Sequence, residues 1–557
     1  MTNAENLQIR LLSRAEAERL SASWTSDSSY GITALPESVL ARHGARILDP
    51  MASVQVSDFK PVASTVYRTN ELLIRADDHA LKDAALKSML PVLQEGLGLV
   101  IDEHQDNPDA PLVSRGVLRP DPHPTADRPT SLPDAWRALQ TWRSTALQTA
   151  NGQVTAALHQ VSLNYLMIGA AMGGIGGASD ILRGVPGAIG GNPGPDDELG
   201  YWRRPVAIKL PQPERAVPPA GRRPVIAVLD TGLAENKWLS VARNDDGLFR
   251  PLGDNAFLAA DQDLQVGMPI PLSAGIQSSY WEGSFTVEPL TGYLSSHTGH
   301  ATFVIGVIRQ TEPRADVLSV RVMYNDGIVY AHVLIDALKR LLDRVVEAQD
   351  GGHPERMVDV ISLSLGGYRE AGAAGAEYDQ LTKVVDALRA RGVIIVAAAG
   401  NYASSRPFFP AALADRDDDG LPRVISVGAR NPNGTKAFFS NDGPWVRCWA
   451  PGAGIVSTYP ENVNGSRRAL FEVGDPRSDD PLAIRQSLES DDYRYGYAEW
   501  SGTSFAAPMV AARLATRLME LDGEAMQHVG VTPEEFGRTQ VGKEATLSRA
   551  RAAVDRL

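Results

Sequence analysis

The sequence predicts a doubly wound parallel α/β sheet preceded by a smaller α+β unit, and three observations carry that prediction. After residue 220, apolar runs of strand length recur, several of them followed by helical patterns. Strands apolar along their whole length belong to a sheet covered by helices on both faces. Before residue 170, strands and helices follow in the order βαββαβ, the order of a ferredoxin-like split βαβ unit. Between the two, the chain turns Gly/Pro-rich and loses sustained periodicity, as a linker does.

In the first unit, "ELLIR" (71–75), "LVIDE" (99–103), "LVSRGVL" (112–118) and "VSLNYLMI" (161–168) read as strands. "DHALKDAALKSML" (78–90) reads as a helix capped by Asp78, and "SLPDAWRALQTWRSTAL" (131–147) as a helix opened by Ser131. The linker holds a short strand at "PVAIKL". Beyond it, "RPVIAVLDTG" (223–232), "VLSVRVM" (317–323), "VDVISLSLGG" (358–367), "GVIIVAAAGN" (392–401) and "RVISVGA" (423–429) are the core strands. Helical patterns at 331–349 and 378–391 cross between them. The chain thus divides into an N-terminal segment (1–65), a βαββαβ domain (66–168), a linker (169–222), a parallel α/β domain (223–522) and a C-terminal helical tail (523–557). There is no internal repeat.

At 557 residues the chain exceeds one ordinary core. Its 43% hydrophobic and 22% charged residues are those of a globular protein. A net charge of -13 argues against nucleic acid or an anionic membrane as a main partner. The one cysteine, Cys448, excludes an intramolecular disulfide and a cysteine-built zinc site, and its apolar neighbours mark it as a packed thiol. "MTNAENLQIRLLSRAEAERL" lacks a basic n-region followed by an apolar h-region. No apolar run is long enough to span a bilayer. The expectation is a cytoplasmic protein, with secretion left open should a leader have been removed.

Ligands of parallel α/β sheets gather beyond the carboxyl ends of the strands. Asp230 and Asn401 stand at such ends, His297 opens "HTGHATFVIGVI", and Ser504 lies in "WSGTSFAAPM". Each has a plain reading: Ser504 as a helix cap, Asp230 and Asn401 as turn residues, His297 as an ordinary histidine. Together they carry a chemistry. A serine hydroxyl is a weak nucleophile until a base takes its proton, and the base needs a third group to fix its tautomer.

That conjunction resembles the subtilisin-like serine peptidase family. "VIAVLDTGL", "HTGHATFVIG" and "SGTSFAAPMVA" resemble its aspartate, histidine and serine motifs in the family's order, with Thr298-Gly299 where Gly-Thr is usual. "DVISLSLGG", "VIIVAAAGN" and "FFSNDGPWVRCWAPGAGIVST" (438–458) resemble further core segments, so that the likeness spans about residues 220–520. The resemblance implies Ser504 as nucleophile, His297 as base, Asp230 as its orienting group and Asn401 as an oxyanion donor. It implies that Ser364, Leu365 and Gly366 pair with an extended protein or peptide substrate, with Ala399 and Gly400 walling the first pocket. Phe408 and Phe409 fall at that pocket's floor, or pack as core aromatics.

No cofactor is expected for catalysis. Asp415, Asp417 and Asp419 alternate before Gly420 as a calcium loop begins, but Ser426 stands where its closing Glu belongs, which favours an acidic turn. Structural calcium follows from the resemblance alone. The resemblance also makes the βαββαβ unit a propeptide that assists folding, occupies the cleft as the enzyme's own inhibitor and is released by cutting within the linker. Insertions between Asp230 and His297 and between Pro460 and Ser501 read as specificity loops or as disorder. A secreted scavenging protease is the runner-up, and a pseudoprotease or peptide-binding protein the alternative from another class.

Overall fold

The computed structural model describes residues 9–21, 35–50, 53, 63–104, 112–124, 130–148, 157–158, 160–170, 203–243, 249–251, 257–265, 268–269, 276–277, 279–283, 285–286, 290–370, 380–416, 420–474, 480–529 and 531–557. The first unit comprises β1 (Thr65–Arg75), α1 (His79–Leu97), β2 (Leu99–His104), β3 (Val113–Pro120), α2 (Ala135–Gln148) and β4 (Val161–Gly169). Its sheet runs β4-β1-β3-β2 with every pair antiparallel. Both helices cover one face, where Met89 and Leu93 of α1 and Trp136 and Trp142 of α2 meet Leu72, Ile74 and Leu163 of the sheet.

Asp78 caps α1 by accepting the Leu81 N–H at 3.0 Å, satisfying a donor the first turn leaves orphaned. The helix runs through Pro91 to Leu97 and closes on Gly98 at φ 60°, a left-handed position that glycine takes without strain. The second helix starts at Ala135, later than the reading from Ser131, because Asp134 accepts the Arg137 N–H at 3.0 Å and serves as its cap.

The second unit is built on β5 (Val225–Asp230), β6 (Leu258–Ala260), α3 (His300–Thr311), β7 (Asp316–Arg321), β8 (Ile328–Tyr330), α4 (Ala331–Asp350), β9 (Val360–Leu363), β10 (Leu365–Gly366), α5 (Gln380–Ala390), β11 (Ile394–Ala398), β12 (Ile425–Arg430), β13 (Cys448–Pro451) and α6 (Thr503–Met526). Its main sheet runs β6-β7-β5-β9-β11-β12-β13, parallel throughout. Helices bury the two faces in separate clusters. Leu334 and Leu338 of α4 lie with Val384 and Leu388 of α5 in one. Phe303 and Ile308 of α3 lie with Phe505, Val510 and Leu514 of α6 in the other. Cys448 is buried in β13, and burial pushes its thiol up to about 12, which makes it inert at neutral pH.

The C-terminal residues form part of this unit. Ala550, Ala553 and Val554 of α7 (Lys543–Asp555) enter the α3–α6 core. Beneath them, Asp359 receives two bonds from Arg222 at 2.9 and 2.7 Å and pairs with Arg549, which also meets Asp522 at 2.8 Å. Within the linker, "PVAIKL" contributes no strand beyond Arg204–Pro205, which pairs with Tyr497–Trp500. Most of the linker lies outside the described residues. Among the described residues no helix is long and apolar enough to cross a membrane.

The two units are joined through β4. It lies antiparallel between β8 and β10, with Ile168 opposite Ile328 on one side and Gly366 on the other. Leu166, Met167 and Ile168 enter the core that holds Leu229, Val320 and Leu334. Alongside, His43 Nε2 and Arg42 Nη1 each lie 2.9 Å from Asp326 Oδ2.

Candidate active site

Strand β5 ends on Asp230, which is buried. Its Oδ1 accepts the Thr231 N–H at 2.7 Å and lies 2.7 Å from Nδ1 of His300. His300 is the first residue of α3, directly after Gly299 at φ 75°. A carboxylate on Nδ1 sets the tautomer and leaves Nε2 as the acceptor. That nitrogen is buried with no hydrogen-bond partner among the described residues, and the ring is held by Trp500 at 5.6 Å and Phe505 at 5.5 Å between centroids.

The histidine facing Asp230 is therefore His300, and the sequence assignment to His297 is corrected. His297 precedes the helix, its N–H donates to the Asn325 carbonyl at 2.8 Å, and its Nδ1 lies 3.0 Å from Ser296 Oγ. Burial, then the neighbouring His300, holds its pKa down to about 3. Such a ring holds a proton too weakly to serve as a base that must later act as an acid near neutral pH.

Ser504 occupies the second position of α6. Its Oγ donates to the Ser364 carbonyl at 3.1 Å, and its backbone N–H donates to the carbonyl of Ala170 at 2.9 Å. Asn401 lies just beyond β11. Its Oδ1 accepts both the N–H and the hydroxyl of Thr503, at 3.0 and 2.9 Å. The backbone N–H can only donate, so these bonds fix the amide's orientation and leave Nδ2 as a buried donor without a partner among the described residues. The helix-start N–H and this amide are the two donors a developing oxyanion needs.

The end of β4 is seated at this point. Gly169 donates to the Gly327 carbonyl at 2.8 Å and Ala170 to the Ser364 carbonyl at 2.9 Å. Ser364, Leu365 and Gly366 are thus engaged by the chain's own residues 168–170. Ala399 and Gly400 form the facing wall, with Gly400 N–H on Thr503 Oγ1 at 3.0 Å. Phe408 is buried between the walls. A Cβ on Gly366 would come within 2.3 Å of its ring, and one on Gly400 within 3.1 Å. The ring thus lies close against both Gly366 and Gly400. Phe409 contributes backbone, pairing with Gly367 at 2.8 and 2.9 Å.

Sequence reasoning missed Glu282. It lies in the first insertion, within "SYWEG", and an acid flanked by aromatic residues was the available signal. Its Oε1 accepts the Gly299 N–H at 2.7 Å and Asn325 Nδ2 at 2.9 Å, so it braces the loop that delivers His300. Burial chiefly, with Asp230 adding, pushes its carboxyl up to about 8. Of the acidic turn, Asp417 and Asp419 lie outside the described residues, and Asp415 stands 3.9 Å from Arg14 Nε. Among the described residues no group of three or more acidic, His or Cys side chains is disposed to hold a metal ion.

An aspartate, a histidine and a helix-start serine beyond the ends of parallel strands, with two N–H donors beside the serine, form the arrangement of serine peptidases of α/β fold. A sequence model described as the Subtilase family matches residues 221–550, and the chain belongs to that family. It is 31% identical to Subtilisin DY of Bacillus licheniformis over 38% of this chain and 82% of that one. It is 30% identical to Thermophilic serine proteinase of Bacillus sp. (strain AK1) over 41% and 40%. It is 31% identical to Thermitase of Thermoactinomyces vulgaris over 31% and 52%. In the last two the match spans about half of the relative's length or less.

Proposed function

We propose that the protein is a serine endopeptidase, made as a precursor whose N-terminal unit occupies its own cleft and is cut free after Ala170. The observation that carries this reading is the Ala170 carbonyl on the backbone N–H of Ser504 at 2.9 Å, with Asn401 Nδ2, which has no partner among the described residues, beside that helix start. A carbonyl so placed is polarised where a tetrahedral oxyanion would form.

In the reaction, Ser504 Oγ leaves the Ser364 carbonyl and attacks the carbonyl carbon of Ala170. Its proton passes to His300 Nε2, while Asp230 stabilises the imidazolium through Nδ1. The intermediate collapses by breaking the Ala170–Ala171 bond, and His300 returns the proton to the departing amine of Ala171. Water, deprotonated by the same histidine, then releases Ala170 from Ser504 as a carboxylate. Until β4 withdraws, the pairing with β8 and β10 blocks other peptides, and main-chain pairing of this kind binds with little sequence preference. A tether holds such an inhibitor at roughly millimolar local concentration. A cytoplasmic processing role belongs to this reading, and the relatives, named as proteinases, support protein or peptide substrates. Structural calcium is proposed only at Asp415, Asp417 and Asp419.

A fluorophosphonate probe tests the reading. The wild-type protein should be labelled at Ser504, and the Ser504→Ala and His300→Ala proteins should not. An unlabelled wild type that still binds extended peptides would make it a peptide-binding protein instead.

A further inference from the structure

We infer that His297 is the wall of a subsite that admits only glycine at the second residue before the cut bond, so that the cleft selects chains carrying glycine at that position. This rests on the peptidase reading above and names its substrate class. The ring of His297 stands where a side chain of that residue would go. A Cβ on Gly169 would come within 2.6 Å of His297 Cδ2, 2.7 Å of its Nε2 and 2.9 Å of Met323 Sδ. Contacts that short require the ring or the strand to move.

The ring has little freedom to move. On its other side stands Gly327, where a Cβ would lie 2.4 Å from His297 Nδ1. Gly169 at the end of β4 and Gly327 just before β8 therefore sandwich one imidazole. Ser296 Oγ at 3.0 Å from Nδ1, and the rings of His300 at 5.2 Å and Trp500 at 6.4 Å between centroids, also border it, and only 1% of the residue is exposed. The strand cannot retreat either, because Gly169 N–H is bonded to Gly327 and Ala170 N–H to Ser364. The linker repeats the same pair at Gly177-Ala178 and Gly187-Ala188, so it supplies further chain of the class the cleft accepts.

Overpacking of this kind costs about 1–3 kcal/mol in a rigid site, or roughly 5- to 150-fold in rate. In the full-length chain, Gly169→Ala should slow self-cleavage by about that factor, and adding His297→Ala should restore most of the lost rate. The same cycle in the Ser504→Ala background reads docking without cutting. There Gly169→Ala should lower the thermal midpoint, and the second substitution should recover it. His297→Ser repeats the rescue with a different small side chain, and fluorophosphonate labelling of the His297 variants confirms an assembled site. Gly169→Ala cut as fast as wild type, or no recovery in either background, would overturn the assignment. Loss of labelling in both His297 variants would overturn it too, by placing the ring in the catalytic machinery. A wild type that never cuts itself, with coupling intact in the Ser504→Ala background, would refute the peptidase reading and leave the subsite standing.

Discussion

His297 and His300 are three residues apart, and the difference between them is one of rotation and depth. His300 opens α3 against the end of β5, so its Nδ1 reaches Asp230 at 2.7 Å. His297 lies one turn earlier, in the loop, and faces the seated strand. Asp230 and Asn401 could be placed at strand ends because each follows an apolar run, and Ser504 at a helix start because an apolar helical pattern follows it. The choice between two histidines in "HTGH" was not legible, since spacing alone allows either. The usable signal was the glycine before His300, at the point where the apolar helical pattern begins. Kinetics on the processed enzyme separate the pair. His300→Ala should lower kcat by about 10⁶, the loss measured for a triad histidine in a subtilisin being about 2 × 10⁶. Asn401→Ala should lower kcat by about 10²–10³ with KM little changed, again a range measured on a subtilisin. Equal losses in kcat for His297→Ala and His300→Ala would contradict the assignment.

At the scale of elements, strands were read well and helix ends less so. The five core runs became strands because their residues are apolar on both faces. Helix α1 outran its expected end because Met89, Leu93 and Leu97 continue one buried face past Pro91. The loop that carries His300 depends on a residue outside any regular element. Glu282 holds Gly299 N–H and Asn325 in place, and its carboxyl is pushed from the ordinary 4.5 to about 8. A carboxyl raised on folding contributes its full stability below the unfolded value and loses it as pH rises through the folded one. The thermal midpoint of the Ser504→Ala protein should therefore fall between about pH 5 and 8 and level off above. Glu282→Gln keeps an acceptor for Gly299 without a titrating proton, and should flatten that slope. An unchanged slope would mean that other groups set it.

For the whole molecule, the sequence divides the chain at residue 169, whereas the fold carries the first unit through Ala170 into the cleft. That join was illegible because β10 is two residues long and β8 three. Neither has a pattern of its own, and their partner strand sets their register. The C-terminal helices were read as a tail because the Asp359–Arg549 and Asp522–Arg549 pairs that bind them span distant parts of the sequence. The central claim is that the chain cuts itself at the bond its own fold presents. N-terminal sequencing and intact mass of the larger fragment, from wild-type and Ser504→Ala proteins purified side by side, test it most directly. The account predicts a wild-type fragment beginning at Ala171 and a Ser504→Ala protein that stays at full length. A cut that persists in Ser504→Ala would assign processing to another protease. A fully active wild type with an intact chain would make the N-terminal unit a permanent part of the enzyme.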